Sequence, residues 1–148
     1  GPEKIIKIIS KLNVNAESCT THFIQDAMVE ALNGDQSGPN EILRRLKKRR
    51  DFAVSGLNAI DGIEISTPES TFYLFPKVNE ILKRKGFESV EKLQLGALKN
   101  ANVSFCTRDH FGRPQKDEVD YYIRFAYSGI SAEDIEEGLK KLKTYFED

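Results

Sequence analysis

The sequence places an arginine, a residue type that could bind an anion, inside an apolar predicted strand. The segment YYIRFAYSGI, residues 121–130, alternates with the period of a β-strand around Arg124. One face, predicted to be core, carries Tyr121, Ile123, Phe125 and Tyr127. The other face, predicted to be small and polar, carries Tyr122, Arg124, Ala126 and Ser128. A buried guanidinium without an anion is costly, so Arg124 needs either a carboxylate of the protein or one that arrives with a ligand. The residues alone leave both interpretations open.

The segment ESCTTH, residues 17–22, holds the other candidates. Its hydroxyl side chains favour a capping cluster at a helix start, but such a helix N-terminus also suits an anion such as phosphate. Cys19 would need a neighbouring base to act as a nucleophile. His22 and Asp26, spaced i and i+4, could orient a metal ion. The only other histidine is His110 and no cysteine pair has ligand spacing, so no metal site is predicted.

Composition excludes several classes of function. The chain has 148 residues, the size of one domain, and 22 basic residues against 23 acidic ones give a net charge of -1. The basic run RRLKKRR, residues 44–50, is interrupted by Leu46 and flanked by Glu41 and Asp51, which favours a solvated helix face over a nucleic-acid interface. No apolar run is long enough to cross a membrane, and the two cysteines indicate reduced thiols. These features predict a cytoplasmic protein that binds neither nucleic acid nor membrane.

Periodicity predicts the elements that must position these residues. Helices are expected over residues 2–13, 17–34, 40–60, 78–86 and 90–101, and a last one from Ser131 with Asp134 as its capping-box partner. Short β-type runs are GIEIS and STFYLFP, a predicted hairpin or pair of neighbouring strands, followed by VSFC and YYIRFAYS. The predicted fold class is therefore α+β, with a small mixed or antiparallel sheet packed with helices.

Several segments in this order resemble one family, the class I/II, fold type I, pyridoxal-phosphate-dependent aminotransferases, with likeness to aspartate aminotransferase. They are SCTTHFIQDAMVEAL, KKRRDFAVSGLNAIDGIEISTPESTFYLFP, VSFCTRDHFGRP and YYIRFAYSGI. The resemblance implies the C-terminal, small-domain part of such an enzyme. It implies that Arg124 binds the α-carboxylate of the substrate. It also implies that Ser18 and Cys19 approach the cofactor phosphate of a neighbouring subunit in a homodimer.

The family's Schiff-base lysine has no match in this chain. None of the lysines lies in the serine-rich context that the family uses, so residues 1–148 are expected to form a single domain from which the large cofactor-binding domain is missing. The resemblance then implies that the full-length enzyme transfers amino groups between an amino acid and a 2-oxo acid on pyridoxal phosphate, while this chain alone is inactive and holds no cofactor. Arg108, Asp109 and Arg113 could shape recognition of the substrate side chain. The alternative is a free-standing, non-catalytic binding or interaction domain with the same fold.

Overall fold

The computed structural model describes residues 1–113 and 116–148. They form two compact units, residues 1–40 and 41–148. The prediction of a single domain stays a prediction.

The first unit is helical. Helix α1 covers Glu3–Ala16 and α2 covers His22–Asn33. Helix α1 runs three residues beyond its predicted end at Asn13, while α2 begins five residues later than predicted. Gly34 follows α2 as its C-cap, as the sequence indicated.

Helix α3, Ser37–Asn58, crosses from the first unit into the second. Its apolar stripe is buried only in the last turns, at Ala53, Val54 and Leu57, whereas Ile42 and Leu43 are exposed. The helix therefore contributes to the core of the second unit through its C-terminal half.

A three-stranded antiparallel sheet organises the second unit. The strands are β1 (Tyr73–Leu74), β2 (Cys106–Thr107) and β3 (Ile123–Ala126), in the order β1-β3-β2. Tyr73 pairs with Ala126 and Leu74 with Phe125, while on the other side Cys106 pairs with Arg124. The strand that carries Arg124 is thus the central one.

One face of this sheet packs on helices. Helices α4 (Asn79–Lys85), α5 (Val90–Ala101) and α6 (Ala132–Glu147) enclose a core with the sheet and the end of α3. The fully buried side chains of this core include Leu57, Leu74, Ile81, Leu93, Ile123, Leu142 and Phe146. Helix α6 packs against α4 and α5, and its predicted capping box is present, with Ser131 and Asp134 bonded reciprocally.

The predicted α+β class is confirmed, but the strands are shorter than the β-type runs. GIEIS contributes only an isolated antiparallel bridge from Glu64 to Lys77, and VSFC pairs only from Cys106. Tyr121, predicted to be core, is exposed and lies outside β3, which begins at Ile123. The remaining predicted core residues of the strand do face the core: Ile123 and Tyr127 are buried and Phe125 is half-buried.

Candidate functional site

Arg124 lies at the centre of the sheet face that points away from the core. Cys106 is its direct partner on β2. On the other side, the β1 register continues to a bridge between Lys77 and Tyr122, which places Phe75 opposite Arg124. Side chains of directly paired residues share a face of the sheet. Phe75, Arg124 and Cys106 therefore form a row across this face.

Two aromatic rings hold the guanidinium. Its Cζ atom lies 4.2 Å from the ring centre of Tyr73 and 4.6 Å from that of Phe111, well inside the distance of about 6 Å for a cation–π contact. Tyr73 belongs to β1, and Phe111 ends the 3₁₀ turn Arg108–Phe111 that follows β2. The rings thus come from opposite sides of the central strand.

These rings belong to an aromatic face around Arg124, which consists of Tyr73, Phe75, Phe111 and Tyr122. Phe72 lies 4.5 Å from Tyr73, centre to centre, and Phe75 meets Phe111 edge-on at 6.3 Å. Phe75 also stacks on Tyr122 at 5.1 Å with an interplanar angle of 6°. The prediction of a small, polar face was wrong, because neighbouring elements bring rings to the row that Arg124 occupies.

The charge of Arg124 is not neutralised by the part of the chain that the structure describes. The one hydrogen bond of its guanidinium there runs from Nη2 to Sγ of Cys106 at 3.4 Å, and sulfur is a weak acceptor. No Asp or Glu carboxylate within residues 1–113 and 116–148 pairs with it. A structural salt bridge for Arg124 therefore finds no carboxylate partner among the described residues.

Two other cationic side chains near this site, Arg108 and Lys77, are paired with carboxylates. Arg108 donates to both carboxylate oxygens of Glu118, at 2.7 and 3.1 Å, and also to the carbonyl of Gly112. Lys77 is 2.9 Å from Asp120, and this hydrogen bond raises the pKa of the lysine. These pairs fix loops, whereas the guanidinium of Arg124 retains free N–H groups.

The loop before β3 acts on the site through a residue that sequence reasoning missed. Arg108, predicted to shape side-chain recognition, is bound to Glu118. Asp109 and Arg113 form no hydrogen bond or ion pair with Arg124 in the described residues. Pro114 and Gln115 of this loop lie outside the described residues. Phe111 is the loop residue that contacts the guanidinium, and the 3₁₀ turn that places it is followed by Gly112 with φ 103°. An aromatic residue just before a glycine was the only available signal.

Ser18 and Cys19 lie in the first unit, in the segment without regular secondary structure between α1 and α2. Both are exposed, and α2 begins only at His22, with Thr21 as an N-cap that forms no side-chain cap bond. The predicted capping cluster thus provides the N-cap residue, Thr21, but no side-chain cap bond. Ser18 and Cys19 precede the first turn of the helix, so the helix supplies them with no anion site of its own.

The other candidates have structural roles. Nδ1 of His22 lies 3.5 Å from Asp26 on an exposed surface, and the described residues contain no cluster of three metal-ligating side chains. In the basic run, Arg44 is bonded to Glu41. Arg49 and Arg50 donate to the backbone carbonyls of Ser128 and Pro68. Arg49 and Arg50 of this run thus stabilise the second unit.

Comparison with known proteins decides the family. The sequence profile of "Aminotransferase class I and II" matches residues 2–142, almost the whole chain. The chain belongs to the class I and II aminotransferase family. An aspartate aminotransferase of Rhizobium meliloti is 31% identical over 147 residues, which cover 96% of this chain and 34% of that protein.

Solved structures agree on the fold of this family. The crystal structure of the aspartate aminotransferase from Rhizobium meliloti matches 99% of this chain with a TM-score of 0.75 at 29% identity, over 36% of its own length. The aromatic aminotransferase from Pyrococcus horikoshii matches 99% with a TM-score of 0.75 at 25% identity, over 37% of its length. The chain thus spans about a third of the length of the curated relatives it matches. Among the described residues, no helix is long and apolar enough to cross a membrane.

Proposed function

We propose that this chain is the C-terminal portion of an aminotransferase that transfers an amino group between an amino acid and a 2-oxo acid, and that Arg124 binds the substrate α-carboxylate. One observation carries the proposal. Arg124 stands on a rigid central strand, its charge unpaired in the described residues, and its N–H groups are left for a ligand. Such a cation is suited to a carboxylate that arrives from outside.

The guanidinium suits this task because of its shape. Its donors lie in one plane and match the two oxygens of a carboxylate through parallel hydrogen bonds, which a lysine ammonium cannot reproduce. A substrate gripped at the carboxylate is fixed in orientation as well as in place. Arg124 would therefore align the Cα–H bond for reaction without taking part in the proton transfer.

The cofactor of the proposed enzyme is pyridoxal phosphate, which when bound supplies the electron sink for chemistry at Cα. This chain does not build a site for it alone. Its lysines lack the sequence context of the family's cofactor lysine, and Ser18 and Cys19 lie on an exposed segment without regular secondary structure. We propose that the remainder of a longer protein holds the cofactor, that Ser18 and Cys19 approach the phosphate of a neighbouring subunit in a cytoplasmic homodimer, and that residues 1–148 alone have no activity.

The gene that encodes this chain provides the first test. We expect an open reading frame that continues upstream for roughly another 200 or more residues, the scale of a further large domain. The encoded protein should catalyse transamination. Substituting Arg124→Lys should lower kcat/KM by about 100-fold, because two charge-assisted hydrogen bonds are lost or distorted. An unchanged kcat/KM would remove Arg124 from the site.

The alternative, a free-standing binding domain, predicts a gene that encodes only these residues. It also predicts a carboxylate ligand for Arg124 without any transaminase activity. Titration of the 148-residue chain with pyruvate, followed at the Nε–Hε signal of Arg124 by NMR, tests the carboxylate site under both hypotheses. A signal that does not respond would contradict both.

A further inference from the structure

The aromatic rings around Arg124 are not accounted for by the core. Phe75 and Phe111 are each exposed by 44%, and Phe75 lies on the face of the sheet opposite to the buried side chains of Leu74 and Ile123. A cluster of exposed large apolar side chains marks a surface that binds a ligand or another protein segment. The residue that they surround is the arginine.

We propose that Tyr73 and Phe111 are positioning residues that hold the guanidinium of Arg124 in one orientation, so that its free edge is presented to the ligand carboxylate. This inference rests on the carboxylate-binding role proposed for Arg124. It names a function for two aromatic side chains that neither the sequence motif nor the fold assigns.

The geometry of a guanidinium explains how rings can hold it without blocking it. Ring contacts use the flat faces of the group, whereas all its N–H bonds lie in the plane and point outward. Tyr73 and Phe111 approach Cζ at 4.2 and 4.6 Å, and Cys106 occupies one donor, on Nη2. The donors that remain belong to edges that the rings leave open.

The two rings of Tyr73 and Phe111, here called the bracket, lower the entropic cost of binding a carboxylate to Arg124. A free arginine side chain loses much rotamer freedom when it grips a ligand, and a side chain already held loses less. The rings also exclude water from the faces of the guanidinium, which strengthens its hydrogen bonds. Phe111 is itself held by its edge-on contact with Phe75, whose other partner is Tyr122. The aromatic face therefore supports the bracket from β1 and β3.

The test uses the 148-residue chain, pyruvate as the probe, and the Nε–Hε signal of Arg124. Phe111→Leu and Tyr73→Leu remove the rings but keep apolar bulk, and each should weaken pyruvate binding by about five- to tenfold, the scale of a cation–π contact. Phe111→Tyr and Tyr73→Phe keep the rings and should bind as the unmodified chain does. Phe52→Leu removes an exposed phenylalanine from α3 and serves as the matched control, with no change expected.

A second readout distinguishes positioning from general support of the fold. In the unmodified chain, the Arg124 side-chain signals should show ring-current shifts and slow rotation of the guanidinium, and both should be lost in the leucine variants while the unfolding midpoint changes little. Absence of these features in the unmodified chain would overturn the bracket even if a variant failed to fold. Leucine variants that bind pyruvate normally, while Arg124→Lys does not, would overturn the bracket and leave the carboxylate site intact. If Arg124→Lys binds pyruvate as well as the unmodified chain, both proposals fall.

Discussion

Cys106 and Arg124 face each other across the β2–β3 ladder, with Sγ of the cysteine 3.4 Å from Nη2 of the arginine. A thiol at this point touches the cation without neutralising it, since sulfur is a weak hydrogen-bond acceptor. Any anionic side chain at position 106 would instead compete with a ligand for the same guanidinium. The uncharged neighbour is thus part of what keeps Arg124 available.

Substituting Cys106→Asp should block the binding of a ligand carboxylate to Arg124. The new carboxylate would pair with Arg124, and pyruvate binding to the chain should weaken by more than about tenfold, the loss expected when one charge-assisted bond must be broken first. Cys106→Asn, similar in size but neutral, is the matched control and should bind pyruvate nearly as well as the unmodified chain. Equal affinities of the Asp and Asn variants would show that Arg124 does not receive the carboxylate.

Thr71 lies in the segment that leads into β1 and has a left-handed backbone, with φ 66°. This conformation is unfavourable for a β-branched residue but free of strain for glycine. Thr71→Gly should therefore raise the free energy of unfolding by about 0.5–1 kcal/mol, after allowance for the added chain entropy of glycine. Urea unfolding measures the change. Ser70→Gly, at a neighbouring residue outside the left-handed region, should lower stability or leave it unchanged.

Tyr127 holds the same segment in place. Its hydroxyl donates to the carbonyl of Thr71 at 2.7 Å, and its backbone N–H donates to that of Phe72. Tyr127→Phe should lower the free energy of unfolding by about 1 kcal/mol at neutral pH, because a polar contact is lost in a part-buried place. Tyr121→Phe removes an exposed hydroxyl and should change stability little.

The effect of Tyr127→Phe should also depend on pH. Burial raises the pKa of Tyr127 above its ordinary value near 10, and the nearby Arg50 opposes this only in part. The phenol therefore ionises more readily in the unfolded chain, and its stabilising effect is complete below about pH 10 and lost as pH rises through the folded-state pKa. The stability gap between the unmodified chain and Tyr127→Phe should narrow above pH 10. A gap that stays constant would mean that the phenol is not protected by burial.

Local sequence signals predicted the parts of the fold that depend on near neighbours. The closing helix starts at Ser131 with the expected reciprocal bonds to Asp134, because a capping box is complete within four residues. The two faces of β3 also follow from alternation, with Ile123 buried and Arg124 on the opposite face. The identity of the central residue of the candidate site was therefore available from the sequence.

The surroundings of Arg124 could not be predicted in the same way. Which rings reach it depends on the register between β1 and β3 and on the 3₁₀ turn after β2, and neither is encoded in the periodicity of a single segment. The start of α2 was misplaced for a related reason. Several residues of ESCTT are good caps, and local preference does not decide among them.

The ion pair between Arg108 and Glu118 stabilises the 3₁₀ turn that positions Phe111. Nε and Nη2 of Arg108 donate to the two carboxylate oxygens at 2.7 and 3.1 Å, and both side chains are less than a quarter exposed, at 23% and 21%. Nη1 of Arg108 also donates to the carbonyl of Gly112, next to Phe111. Loss of this arginine should therefore loosen the turn.

Arg108→Gln should weaken pyruvate binding by roughly the same factor as Phe111→Leu, since a loosened turn should move the Phe111 ring away from Arg124. It should also destabilise the chain, because Glu118 loses its bidentate partner. Glu118→Gln in the same background should recover part of the stability but not the pyruvate affinity, as the neutral pair cannot fix the turn. In the double variant, urea unfolding should then show partly recovered stability, whereas NMR titration should show no recovery of pyruvate affinity. If the double variant recovered both, the charge pair would matter only for folding, and Phe111 would reach Arg124 without it.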